Sequence, residues 1–224
     1  MLGGELFRGL PQPELQELVA VARRRRFARG EVVFHRGDPA DTLHLVITGR
    51  FVASRDTESG DTVATSVHGA GDAFGELALL ELEQSRSMTV TALEPAETYA
   101  LHRKEFDRLR ARYPSVNDVL ARLLAARVRR TSELLAEAFS VSAERRVLRR
   151  IVELAALYGD GATATEVPLS QHEIAGLAGT SRATVNRVLR AEVARGTVEL
   201  RRGATRVLDP VALAKRAGIS RRTG

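Results

Sequence analysis

A chain of 224 residues is long enough for one large or two modest domains, and a hydrophobic fraction of 44% supports a packed interior rather than a disordered chain. The absence of cysteine excludes disulfides, thiolate zinc, cysteine-ligated iron–sulfur clusters and a cysteine nucleophile. The formal charge of +6 is unevenly spread: residues 1–110 carry 14 basic and 17 acidic side chains, residues 111–224 carry 20 and 11, so the second half is the one suited to a polyanion.

The chain begins without a signal-peptide core, since Glu5, Glu14 and Glu17 fall within its first 25 residues, and it contains no apolar run of 18 residues. The expectation is a cytoplasmic protein with no membrane partner. A short helix is expected over Pro13–Ala22. The run Arg23–Arg26 reads as a second basic patch, either a solvated face or a contact with another subunit. From Arg29 to about Leu101, glycines punctuate short runs rich in branched and apolar residues: Glu31–Phe34, Thr42–Ile47, Phe51–Ser54, Thr62–Val67, Met88–Ala92 and Glu97–Leu101. Short strands at such spacing predict an antiparallel sandwich or roll, with a hairpin tip at Ser59-Gly60-Asp61.

Pro114 closes that region, and from Ser115 no Gly or Pro occurs until Gly159. Leu120, Leu124, Arg127, Thr131, Leu134 and Ala138 recur at spacings of four and three, a heptad seam. Either a parallel copy of the helix from a second chain or the protein's own sheet covers it, and a two-fold dimer is the simpler arrangement. A further helix is expected from a Ser142 cap to Tyr158, ended by Gly159-Asp160-Gly161, and then a short strand at Thr165–Pro168.

Ser170 and Glu173 form a capping box ahead of a helix that buries Ile174 and Leu177. Ala175 is small at a close crossing, Gly179 suits a left-handed turn, and Ser181 caps a second helix with Val185, Val188 and Leu189 facing inward. This is the spacing of a helix-turn-helix. Its outward residues are Arg182, Ala183, Asn186, Arg187 and Arg190, with Arg182 and Arg187 near the end that enters a major groove. Ser170, Ser181 and Thr184 are placed for phosphates. Thr197–Leu200 and Ala204–Leu208 flank the basic tip Arg201-Arg202-Gly203, so a wing follows the helices.

Within the first half, Gly71-Asp72-Ala73-Phe74-Gly75-Glu76-Leu77-Ala78 followed by Arg86-Ser87 describes an anion site. Gly75 permits a tight turn, backbone N–H groups after it point at an anion, Arg86 and Ser87 add donors, and Glu76 accepts from a sugar hydroxyl while pairing with the arginine. A ribose phosphate satisfies this set. By residue type alone, a structural Glu76–Arg86 salt bridge is the competing reading.

Phe74-Gly75-Glu76-Leu77-Ala78 with Arg86-Ser87 closely resembles the phosphate-binding cassette of cyclic-nucleotide-binding domains. Joined to the heptad helix and winged helix-turn-helix, nearly the whole chain resembles the bacterial cAMP receptor protein family, within the wider superfamily that includes the fumarate–nitrate regulators. Phe34-His35-Arg36-Gly37-Asp38 and Thr48-Gly49 fit that family's β-roll.

The resemblance implies that Glu76 binds the ribose 2′-hydroxyl, Gly75, Leu77 and Ala78 supply backbone contacts, and Arg86 and Ser87 hold the cyclic phosphate. Thr131 of one subunit and Ser132 of its partner would meet adenine. Two positions depart from the pattern: Met88 stands in place of alanine, and Ala183 in place of a glutamate between the base-reading arginines.

The expected fold class is α+β: an antiparallel, jelly-roll-like β-roll at 1–114, a dimerisation helix at 115–139 and a winged helix-turn-helix at 140–224. The expected effector is cAMP, with cGMP or no effector as alternatives. Double-stranded DNA and a second copy of the chain are expected partners, and RNA polymerase is a candidate one. The five histidines share no metal-ligand spacing, and no catalytic constellation is present, so neither a metal site nor an enzyme is expected. The rival readings are a regulator sensing haem or another ligand, and an architectural DNA-binding protein with a structural roll.

Overall fold

Between residues 23 and 102 the branched, glycine-bounded runs form strands in the computed structural model, which describes residues 11–56, 62–80, 85–159 and 163–219. Helix α1 (Gln12–Val21) leads into β1 (Arg23–Phe27), β2 (Val32–Phe34), β3 (Thr42–Thr48), β4 (Phe51–Asp56), β5 (Thr62–His68), β6 (Ala73–Phe74), β7 (Thr89–Ala92) and β8 (Ala96–His102). Two four-stranded antiparallel sheets result, ordered β1-β8-β3-β6 and β2-β7-β4-β5. Phe27, Val46, Phe51, Phe74 and Val90 fill the space they share, and their burial follows the alternation of a strand with one face inward.

A second apolar cluster joins helices to sheet. Leu18 of α1, Leu43, Leu45 and Leu101 of the sheet, and Phe106 and Leu109 of α2 (Arg103–Arg112) pack together. Val116 and Leu120, in the first turns of α3 (Ser115–Ser140), complete it. The seam of α3 is thus divided. Leu120 is buried and Leu124 packs against the same cluster, whereas further along the seam Leu134 is half-buried and Thr131 and Ala138 are exposed; beside it Val128, Leu135 and Phe139 are 65%, 58% and 86% exposed.

Beyond Ser142, which caps α4 (Ala143–Tyr158), come β9 (Thr165–Val167), α5 (Gln171–Ala178), α6 (Arg182–Ala194), β10 (Val198–Arg201), β11 (Ala204–Val207) and α7 (Pro210–Ala217). The strands form one antiparallel sheet, β10-β11-β9. Val147, Ile151, Ile174, Val185, Leu189 and Leu213 are among the fully buried side chains of its helices.

The chain divides into two compact units, the first built on residues up to Arg55 together with Ser66–Ser132, the second on residues from Glu133 onward together with a short stretch ending at Thr65. Elements β1, β6, α2 and α7 differ from the sequence-based expectation, β6 being a two-residue strand within the glycine-rich anion segment. Arg23–Arg26 are exposed, yet they form strand β1, paired with β8 and held by Glu97 between Arg24 and Arg26. Helices α2 and α7 add two elements the periodicity did not announce. The hairpin tip at 59–61, Gly161 and the tail from Ser220 lie outside the described residues.

Candidate ligand cleft and DNA-binding face

Gly75 joins β6 to a 3-10 turn, Glu76–Leu79, with φ at +81°. A side chain there is strained by conformation, and its Cβ would stand 2.7 Å from Arg86 Nη1 and 2.9 Å from the Thr42 carbonyl oxygen. Glycine is therefore what lets the arginine approach the turn. Arg86 itself is fixed through its backbone: its N–H donates to the Asp38 carbonyl (2.8 Å) and its carbonyl accepts from Gly37 N–H (2.9 Å). The Phe34–Asp38 segment is thus the mount for the arginine.

The Arg86 guanidinium is 5% exposed, lies 4.0 Å over the Phe34 ring, and donates from Nη1 and Nη2 to the Thr42 carbonyl (2.8 Å) and hydroxyl (2.7 Å). Its Nε is buried with no hydrogen-bond partner among the described residues. Burial pulls its pKa below the usual guanidinium value, and the carboxylates of Asp41, Asp38 and Glu76 oppose that shift. A buried cation with an unused donor is a site that an anionic oxygen stabilises.

Glu76 is also buried, at 7% exposure, and its described ion-pair partner is Arg127 of α3, with Nε 4.0 Å from Oε1. The sequence suggested a Glu76–Arg86 pair; in the structure Arg86 is held by Thr42 and Glu76 faces Arg127. Arg127, read in the sequence only as a seam position, is a site residue that sequence reasoning missed, as are Thr42 and His68. An arginine on an otherwise apolar stripe was the available signal.

These groups border one cleft, whose empty space is about 420 Å³ with its open mouth included. Gly75, Glu76, Leu77, Arg86 and Ser87 all line it, as does Met88, which packs on the cluster between the sheets. Met88 therefore forms part of the apolar wall. Ala78 falls in the 3-10 turn beside the cleft. Thr131 and Ser132 are exposed on α3, and the Thr131 hydroxyl donates to the Arg127 carbonyl at 3.0 Å.

The second unit presents the helix-turn-helix. Glu173 N–H donates to Ser170 Oγ (3.2 Å) while Ser170 N–H donates to a Glu173 carboxylate oxygen (2.6 Å), a reciprocal capping box. Gly179 closes α5 at φ +58°, and Ser181 Oγ accepts from Thr184 N–H at 3.2 Å to open α6. Both cap hydroxyls accept through oxygen, and the Ser181 hydroxyl also shares a hydrogen bond with that of Thr184 at 3.1 Å. Arg146 of α4 fastens the turn, donating to the carbonyls of Ala178, Gly179 and Val141 at 2.9 Å each.

Arg182 and Arg190 are exposed on α6. Arg187 is exposed too and pairs with Glu144 at 2.5 Å, and half-buried Asn186 donates to Gln171 Oε1 at 3.1 Å. In the wing, Arg201 is held by Glu166 (2.9 Å) and Glu199 (3.3 Å). The junction of α3 and α4 carries a stronger clamp: Glu137 takes Arg149 at 2.7 Å and buried Arg150 at 2.5 Å.

The cyclic nucleotide-binding domain model matches residues 24–113, and the Crp-like helix-turn-helix model matches residues 145–216. The cyclic AMP receptor protein of Thermus thermophilus is 36% identical over 216 residues, covering 95% of this chain and 96% of that protein. A CRP-like cAMP-activated global transcriptional regulator of Mycobacterium tuberculosis is 30% identical over 215 residues, with the same coverage of each. Among solved structures, the catabolite activator protein of Thermus thermophilus is 34% identical, covers 96% of this chain and 99% of that one, and gives a TM-score of 0.55. No helix among the described residues is long and apolar enough to cross a membrane. With the cleft, the helix-turn-helix and relatives matched along nearly their whole length, the chain belongs to the CRP family of cyclic-nucleotide-binding transcription regulators.

Proposed function

We propose that the protein is a cAMP-responsive, homodimeric DNA-binding regulator of the cytoplasm, with a β-roll at 1–114, a dimer helix at 115–139 and a winged helix-turn-helix at 140–224. The observation that carries the effector assignment is the buried Arg86 guanidinium with its unpaired Nε beside the Gly75 turn. In this reading Arg86 and Ser87 hold the cyclic phosphate, backbone N–H groups of Gly75, Leu77 and Ala78 assist, and Glu76 accepts from the ribose 2′-hydroxyl. Arg127 faces the Glu76 carboxylate and orients it.

The exposed apolar residues of α3, Val128, Leu135 and Phe139, support a second copy as the cover of the seam. Thr131 from one subunit and Ser132 from the other then complete the adenine contact. Occupancy of the cleft favours one arrangement across Phe139–Ser142, and the two α6 helices reach successive major grooves roughly 34 Å apart. Arg182, Arg187, Asn186 and Arg190 read or approach the bases there, while Ser170, Ser181 and Thr184 contact phosphates. RNA polymerase is the further partner such a regulator engages.

Titration calorimetry with cAMP and cGMP tests the effector assignment. Wild type binds cAMP saturably, and Arg86→Ala loses about 1.5–3 kcal/mol, ten-fold or more in affinity. Absence of saturable binding by either nucleotide refutes the reading. A regulator with a degenerate sensor then remains.

A further inference from the structure

Two polar side chains of the cleft have no task in that reading: exposed Ser85 and buried His68. His68 is the last residue of β5 and lines the cleft, its ring 5.7 Å from that of Phe74 at 47°. Nε2 shares a hydrogen bond with Ser66 Oγ at 3.0 Å. The other ring nitrogen makes no hydrogen bond among the described residues, and it is not one of the fully enclosed unpaired polar atoms. Burial, helped by the charge of Arg127, lowers the imidazole pKa to about 4, so the ring is neutral at pH 7.

We propose that His68 is a further binding residue, which holds the purine base of the bound cyclic nucleotide through its second ring nitrogen. The inference rests on the reading of the cleft as a cyclic-nucleotide site. With phosphate and ribose taken by Arg86, Ser87 and Glu76, the base meets the rest of the lining, where His68 is the buried polar side chain without a role. The Ser66 hydroxyl either donates to Nε2 or accepts from it, and the tautomer follows. The second nitrogen is therefore an acceptor for the adenine amino group or a donor to the guanine carbonyl oxygen. His68 thus serves both purines, and discrimination between them falls to Thr131 and Ser132.

The test uses the full-length protein at pH 7, with calorimetry and ¹⁵N spectra of the histidine rings. His68→Leu keeps the apolar volume and is expected to weaken cAMP and cGMP alike by about tenfold. His68→Asn, whose carboxamide offers donor and acceptor, regains most of that loss. In wild type, the His68 ring nitrogens shift when cAMP saturates the site, a readout that needs no variant. Wild-type binding with His68→Leu within twofold of it and unmoved ring resonances overturns the role of His68. Failure of wild type to bind either nucleotide overturns the cyclic-nucleotide reading itself, a result distinct from the first.

Discussion

Arg86 and Gly75 act as a pair. The arginine is buried where only a glycine leaves it room, and its planar fork is spent on Thr42 while Nε stays unpaired. Gly75→Ala places a Cβ at φ +81° and 2.7 Å from the guanidinium, so it is expected to cost about 1–2 kcal/mol in stability and to displace Arg86. A urea titration reads the first effect, and loss of nucleotide binding in a chain with unchanged circular dichroism reads the second. Thr131→Ala removes a hydroxyl that already bonds the Arg127 carbonyl, so folding changes little. The variant weakens cAMP more than cGMP in calorimetry; an equal loss removes Thr131 from the adenine contact. The grouping of Gly75, Glu76 and Arg86 was legible because glycine, carboxylate and arginine each have a distinct chemistry toward a charged ligand, and the three line one cleft. Which cation faces Glu76 was not, because Arg127 arrives from a helix some fifty positions away.

At the scale of elements, the helix-turn-helix depends on local signals that reinforce each other: a capping box, a left-handed glycine and a serine cap. Arg146 adds a tertiary staple, satisfying carbonyls at the end of α5 that the helix leaves open. Arg146→Met keeps the apolar stem and removes three hydrogen bonds, so the second unit is expected to lose about 2–4 kcal/mol. Thermal unfolding followed at α-helical wavelengths measures it, and an unchanged transition would show the staple to be idle.

Strand β1 illustrates why some elements were not legible. Four arginines in a row carry no alternation, and the strand exists because β8 offers a backbone edge and Glu97 a shared carboxylate. Helix α2 buries only Phe106 and Leu109, too few for a periodic signal. Helix α7 did carry its signals, an Asp209 cap before Pro210 and Gly218 after the last turn.

Over the whole molecule, two buried imidazoles tie stability to pH. His44, bonded to Thr98 and stacked on Phe74, has its pKa lowered to about 3 by burial, then by Arg86 and Arg25; His68 is lowered to about 4. Below pH 6.5 the unfolded chain takes up a proton at each ring that the folded chain refuses, so stability falls as pH falls. The loss approaches about 1.4 kcal/mol per pH unit for each ring until its folded pKa is reached. Above 6.5 both states bind the same number and this dependence disappears. Urea midpoints at pH 7.5 and 5.5 check it: the drop is large in wild type and smaller in His44→Gln.

The amino-acid sequence by itself determined the antiparallel roll, the long helix, the helix-turn-helix with its wing, and the residue types of an anion site. Those features follow from short-range rules, namely strand alternation, heptad spacing, caps and turn glycines. Only the tertiary structure decided that Arg86 is seated on Phe34 and Thr42, that Arg127 and His68 join the cleft, and that α3 spends Leu120 and Leu124 on its own core while its later residues stay exposed. These outcomes depend on contacts between segments distant in the chain, which no local pattern encodes.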